Sequence, residues 1–333
     1  MGVSQPTPAT TAPATEKSSD GSMLTVLVAL GANLLIALAK TVAALLTGSA
    51  SMVAEAAHSW ADAGNEGFLM VAERRSNKPA DDLHPFGHGR EGYIWSMFAA
   101  LGLFTAGSVV SIYHGITQLG NHEPEADYTI AYIVLAIAFV LEGASFLQAR
   151  RQASRAATKL GASTLRYVAD TSNPTLRAVF FEDAAALVGL VVAFAGILTH
   201  QLTGDAIYDA IGSIVVGILL GVIALFLIGR NSDFLAGQSV SPAFRARALA
   251  KLLEHPEISR VTYLFCEYVG ADKVFLVAAV DLAGDAPESH VAEVLRRLEA
   301  EITDNDLVER AVLTLSAPSD AALTPDASSL NSR

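Results

Sequence analysis

Apolar residues run through this chain in six long blocks, about 24–47, 50–73, 94–119, 128–149, 176–199 and 206–229. A helix needs roughly 20 apolar residues to cross the hydrocarbon core of a bilayer, so six transmembrane helices are expected within 23–232. Beyond Arg230 the period changes. SPAFRARALAKLLEHP has helical spacing, with Ser241 as its cap and Pro242 at the first helical position. SRVTYLFCEYV and KVFLVAAVDL are strand-like runs joined by Gly-Ala-Asp, which predicts a hairpin. Val291, Val294, Leu295, Leu298 and Ile302 return to helical spacing, and a last strand is expected over about 307–316. This α-β-β-α-β order predicts a small cytoplasmic α/β domain of ferredoxin-like type over 238–317. The leader 1–22, rich in Ser, Thr, Pro and Ala, and the polar tail 318–333 are expected to be disordered. The leader has no basic n-region, so no cleavable signal peptide is expected.

Composition agrees with that division. Of 333 residues, 52% are hydrophobic and 17% charged, which suits a membrane protein with a modest soluble part. A net charge of -12 sets nucleic acid aside as a partner, because phosphate binding needs basic patches. The single cysteine, Cys266, excludes an intramolecular disulfide framework and a cysteine-based zinc cluster. No nucleophile–base set, phosphate-binding loop or cofactor fingerprint is visible, so an enzyme is not expected. The basic residues are sorted between connections: 48–49, 120–127 and 200–205 hold no Lys or Arg. The second-to-third connection carries Arg74, Arg75, Lys78 and Arg90, and the fourth-to-fifth Arg150, Arg151, Arg155, Lys159 and Arg166. The positive-inside rule then places both basic connections and both termini in the cytoplasm, and the cell membrane is the expected host.

Against this apolar background the ionisable residues stand out. His58 and Asp62, in SASMVAEAAHSWADAGNE, are four apart and share a helix face, and Glu55 and Asn65 extend the stripe by three residues each way. Burying such groups in a membrane is costly, and they mark ion or ligand pathways; the bland reading is a polar seam between packed helices. An imidazole nitrogen and a carboxylate oxygen make half of a tetrahedral site for a divalent ion such as zinc. Glu182 and Asp183 on the fifth span, in AVFFEDAAALVG, offer the other half. They point about 100° apart, so one faces the ion and the other supports it. Lys40 is read as a counter-charge or a snorkelling lysine, and Asp209 as a further buried charge. In the loop KPADDLHPFGHGREGY, Asp81, His84 and His88 form a second candidate metal set, held by prolines and glycines.

With these residues the chain resembles the cation diffusion facilitator family of divalent-metal/proton antiporters, over about 24–316. The resemblance lies in SASMVAEAAHSWAD, PADDLHPFGHGRE, LFTAGSVVSIYHGI and YDAIGSIVVGILL. It implies six spans, a homodimer, a tetrahedral transport site shared by the second and fifth spans, and export of metal in exchange for protons. His58 and Asp62 match the family's second-span pair, and Asp81, His84 and His88 a loop site that some members fill with metal. On the fifth span, relatives often carry His or Asp followed four residues later by Asp; here Glu182 and Ala186 stand at those places, with Asp183 beside them. The Glu-Asp pair is similar to the zinc transporter nine-like branch. The soluble domain offers only His255 and His290, with Asp281, Asp285 and Cys266 around them, and is read as a packing and dimerising unit.

The resulting expectation is a proton-coupled efflux transporter working by alternating access. Its cargo would be a divalent cation, zinc first, with manganese, iron and cobalt as other candidates because the donor set is oxygen-rich. The alternatives are a passive divalent-cation conductor and a non-transporting, metal-regulated membrane scaffold. The expected partners are membrane lipid, metal ions, protons and a second copy of the chain.

Overall fold

The computed structural model describes residues 19–120 and 127–325. Long helices account for most of them: α1 (Ser19–Thr47), α2 (Ala50–Ser76), α3 (Glu91–Gly102) and α4 (Val110–Gln118), then α5 (Thr129–Leu160), short α6 (Thr164–Asp170), α7 (Pro174–Thr203) and α8 (Ile207–Leu235). A π-helical segment, Leu103–Val109, joins α3 to α4, so the third expected span is one helix with a wide turn in its middle. Among the described residues, five helices are long and apolar enough to cross a membrane: α1, the α3–α4 unit, α5, α7 and α8. The remaining expected span, α2, is 27 residues long but interrupts its apolar surface with Glu55, His58, Asp62, Glu66 and Glu73. It is the central element, packed against α1, α3, α7 and α8.

Sequence-local signals set the helix ends. Asn173 caps α7 by accepting from Leu176 N (3.0 Å), with Pro174 in the first turn. Gly161 and Gly204 end α5 and α7 in left-handed conformation. The turn into α2 is closed from a distance. The Asp209 carboxylate of α8 accepts from Ala50 N (2.6 Å), Ser51 N (3.2 Å) and Ser49 Oγ (3.0 Å). A buried acid on the free N–H groups of a helix start satisfies both partners, so Asp209 is a helix cap.

At the opposite end the second and fourth connections meet the soluble domain. Arg177, fully buried, donates to Thr171 O (2.6 Å) and to Asn231, and lies 5.2 Å from the Phe234 ring. Ser172 and Asp272 exchange hydrogen bonds of 3.0 and 3.3 Å between the α6–α7 connection and the domain's hairpin turn. The basic connections and the domain therefore share one face of the bundle.

That domain runs α9 (Pro242–Leu253), β1 (Ile258–Gly270), β2 (Lys273–Leu282), α10 (Glu288–Thr303) and β3 (Val308–Leu315). Ser241 caps α9 by accepting from Phe244 N (3.2 Å). The sheet order is β1-β2-β3, with β1–β2 antiparallel and β2–β3 parallel. Alternate residues of β2 point inward and pack with Leu249, Leu252, Val261 and Leu298.

The expected disordered ends are revised where they are described. Residues 19–22 belong to α1, and 1–18 lie outside the described residues. Residues 318–325 follow the domain instead of leaving it. Leu323 N donates to Val261 O (2.7 Å) and its side chain joins the core, while Arg260 donates to Asp320 O (2.6 Å). One apolar side chain and a few hydrogen bonds to the backbone suffice to hold a polar stretch; residues 326–333 lie outside the described residues.

Candidate metal centres

Glu55, His58, Ser59, Asp62 and Asn65 recur every three or four residues on α2 and share one face. All are buried except Asp62, whose side chain is 19% exposed. His58 Nδ1 lies 3.4 Å from Asp62 Oδ1. From α7, buried Glu182 faces this stripe and accepts through Oε2 from the Asn65 side-chain amide. Asp62 is within electrostatic reach of Glu182, Asp183 and Glu142. Asp183 turns toward α5, where its Oδ2 accepts from Ser145 Oγ (2.7 Å). Ala186 is buried packing. Of the four predicted residues, His58, Asp62 and Glu182 share the α2–α7 seam, and Asp183 stands behind it.

The seam is rich in unsatisfied atoms. Among the described residues, both ring nitrogens of His58, Asp62 Oδ1, Glu182 Oε1, Asn65 Oδ1, Glu55 Oε1 and Ser59 Oγ are buried with no hydrogen-bond partner. Leaving such a group unpaired costs about 1–3 kcal/mol. Lone pairs on a nitrogen and several carboxylate oxygens in a seam of low dielectric are the donor types a divalent cation takes, although the structure does not bring three of these donors within 4.8 Å of one another.

Lys40 of α1 is a counter-charge: its Nζ lies 2.9 Å from Glu55 Oε2, with both side chains fully buried. Sequence reasoning missed Glu142 on α5, which lies in charge reach of Lys40 and Asp62. A lone acid in a block as apolar as IVLAIAFVLEG was the available signal.

The loop set closes on itself. Asp81 Oδ1 lies 3.0 Å from His84 Nδ1, and Asp81 Oδ2 lies 3.0 Å from His88 Nε2. His88 Nδ1 is 2.7 Å from Glu91 Oε1, a fourth member that the sequence reading passed over although it is three residues on. Among the described residues, Asp81, His84 and His88 are the one group of three His, Cys, Asp or Glu side chains with donor atoms all within 4.8 Å. Hydrogen bonds from His88 and from the His84 backbone hold the Asp81 carboxyl well below the usual carboxylate range. Contacts with Glu91, then Asp81, raise the His88 value. The loop is clamped to the soluble domain: Phe86 packs on Phe275 (4.8 Å between centroids), and Arg90 pairs with Glu267. Gly89 meets β1 so closely that a Cβ there would lie 2.7 Å from Val269 O.

The domain's own candidates are held apart. His255 bonds Glu301 (3.0 Å), Asp281 pairs with Arg260 (2.7 Å), and Cys266 is in the core, where burial pushes its thiol up to about 11.

A family model described as the cation efflux transmembrane domain matches residues 26–235, which takes in α2, α7 and the loop. The chain belongs to the cation efflux, or cation diffusion facilitator, family. It is thus an α-helical, multi-pass membrane protein with an appended α/β domain. Similar members include the mouse "Proton-coupled zinc antiporter SLC30A9, mitochondrial", 36% identical over 78% of this chain and 46% of that protein. "Metal tolerance protein C4" of Arabidopsis thaliana is 34% identical over 70% of this chain and 51% of its own length. "Magnetosome protein MamB" of Paramagnetospirillum magneticum is 27% identical over 73% and 77%. The chain spans about half the length of the first two. The resemblance to the zinc transporter nine-like branch of this cation efflux family agrees with the first of them.

Proposed function

We propose that this cation efflux family member carries divalent metal cations, zinc first, across a membrane, with His58, Asp62 and Glu182 as ligands. The observation that supports this is the set of buried nitrogen and oxygen atoms without hydrogen-bond partners on α2 and α7, on two helices that the Asn65–Glu182 hydrogen bond joins. A carrier must hold its cargo firmly enough to desolvate it, and then lose it. Imidazole and carboxylate do both, because each binds metal only when deprotonated, so protons arriving from one side displace the ion. Asp183 supports the seam from the α5 side. Alternating access would come from rocking of helix bundles around this mid-membrane site, with α2 as the sixth crossing helix.

The basic connections and the α/β domain share one face, which we assign to the cytoplasm of a cell membrane by the positive-inside rule. The domain and the clamped loop are the surfaces through which two copies would pair, and Asp81, His84 and His88 a metal site separate from the transport path. The similar zinc antiporter favours zinc among the candidate cargoes, with manganese, iron and cobalt as competitors.

Zinc uptake into everted vesicles, with and without an imposed pH gradient, tests the proposal. Gradient-driven uptake is the expected result. Uptake indifferent to the pH gradient points to a passive conductor, and no uptake to a scaffold.

A further inference from the structure

Lys40 presents a problem for any cation site beside it. Its ammonium, fully buried on α1, lies within electrostatic reach of both His58 and Asp62. A fixed positive charge there opposes a divalent ion. It is also a competitor, because lysine's flexible four-carbon stem carries three donors to whatever acceptor is near. In the structure that competitor is held: Nζ lies 2.9 Å from Glu55 Oε2. Glu55 is itself pinned by α7, for a Cβ on Gly189 would stand 2.6 Å from Glu55 Oε1. The absent side chain at Gly189 makes room for the carboxylate, and the α7 backbone closes over it.

We propose that Glu55 is a positioning residue for metal binding, holding the Lys40 ammonium away from Asp62 so that Asp62 stays available to the ion. The inference rests on the reading of His58, Asp62 and Glu182 as the metal's ligands. Glu55 precedes Asp62 by seven residues on one face of α2, about two turns or roughly 10 Å along the axis. Pairing at that distance neutralises Lys40 without placing it among the ligands. Freed from Glu55, the ammonium has Asp62 as an acceptor whose Oδ1 makes no hydrogen bond, with Glu142 as the other acid in reach. If the pair served only to join α1 to α2, its loss would lower stability and leave the affinity of the folded protein alone.

Equilibrium zinc titration of the full-length protein separates these roles, with His58→Ala reporting the share bound by the loop. Glu55→Gln should weaken seam binding by about 30-fold or more, the effect of a full charge brought beside the ion in a partly screened interior. Lys40→Met in the same chain should restore affinity to within about 3-fold of wild type, since it removes the competitor. Lys40→Met alone should bind at least as tightly as wild type.

Wild-type affinity in Glu55→Gln overturns the proposal, as does a double variant no better than Glu55→Gln. Should Glu55→Gln fail to fold, Glu55→Asp takes its place: the shorter carboxylate holds the ammonium less closely and should weaken seam binding, and wild-type affinity in that variant overturns the proposal. If wild type and His58→Ala titrate identically, the ligand reading fails first, independently of Glu55.

Discussion

The α2–α7 seam and the Asp81–His88 loop use the same side-chain types and leave them in opposite states. In the loop, both Asp81 oxygens, both His88 nitrogens and His84 Nδ1 already make contacts of 2.7–3.0 Å. In the seam, both His58 nitrogens and one oxygen each of Asp62 and Glu182 have no hydrogen-bond partner. A metal entering the loop replaces hydrogen bonds that are already made and partly solvated, so its net gain is modest. A metal entering the seam would meet atoms that make no hydrogen bond, two of them in only a loose 3.4 Å contact, in a medium where each unpaired group is expensive. Compactness and need therefore point different ways: the loop donors are the closer together, and the seam donors are the less satisfied.

The largest consequence falls on Asp62. Asp62→Ala should abolish zinc flux in vesicles and lower seam affinity by more than about 100-fold, beyond the range typical of groups that only support a ligand. Insertion should be unharmed, because removing a buried carboxylate lowers the cost of placing α2 in the bilayer. Normal flux in a well-expressed Asp62→Ala protein would remove the seam from the transport path.

A smaller effect sharpens the seam's internal division. Glu182 faces Asn65 on α2 and Asp183 faces Ser145 on α5. Glu182→Gln should weaken zinc binding by on the order of 100-fold and Asp183→Asn by about 10-fold or less, the latter acting through its neighbours. Isothermal titration of both variants decides it; the reverse order would mean that Asp183 turns inward when metal is bound.

Much of this was legible in the chain because the signals are local. Span boundaries, the Ser241–Pro242 helix start, the hairpin and the i,i+4 pair each depend on a few neighbouring residues. The features that were not legible depend on pairing between distant segments. Asp209 reads as a buried charge until Ala50 N is seen 2.6 Å away, across 159 positions of sequence. Lys40 reads equally as a counter-charge or a snorkelling side chain until Glu55 is found beside it. The tail's hold on Val261 depends on one leucine in a polar stretch. The π turn at Leu103–Val109 lies in LFTAGSV, where Thr105, Gly107 and Ser108 weaken the helix without specifying which turn it takes.

For the loop, the expected result is retention. Replacing Asp81, His84 and His88 together by alanine should leave flux at saturating zinc within about 3-fold of wild type, because their side-chain bonds run to one another and to Glu91 and the seam is untouched. What should change is the clamp between loop and soluble domain, read as faster backbone amide exchange around Phe86 and Phe275. Complete loss of flux in a folded protein would place the loop on the ion's route.

The smallest effect concerns the loop's protons. His88 sits above the ordinary histidine value because Glu91, then Asp81, bonds its ring, whereas Asp81 is held below the carboxylate range and stays ionised through neutral and mildly acidic pH. Metal can bind His88 only after its proton leaves. Loop-site affinity should therefore be greatest above the raised His88 value and fall as pH drops through it, with Asp81 contributing nothing to the change in that window. Glu91→Gln removes the first of the two supports, so His88 should lose its proton at lower pH and the falling limb should move in the acid direction. A downward move of one pH unit corresponds to about tenfold tighter binding on that limb. Cobalt titrations across about pH 5–8, bracketing the ordinary histidine value, measure the position of the limb in both proteins, with seam binding suppressed by Asp62→Ala. A limb that stays in place would show that Glu91 does not hold the His88 proton, and a lower plateau affinity above the limb would show that Glu91 is itself a ligand of the bound metal.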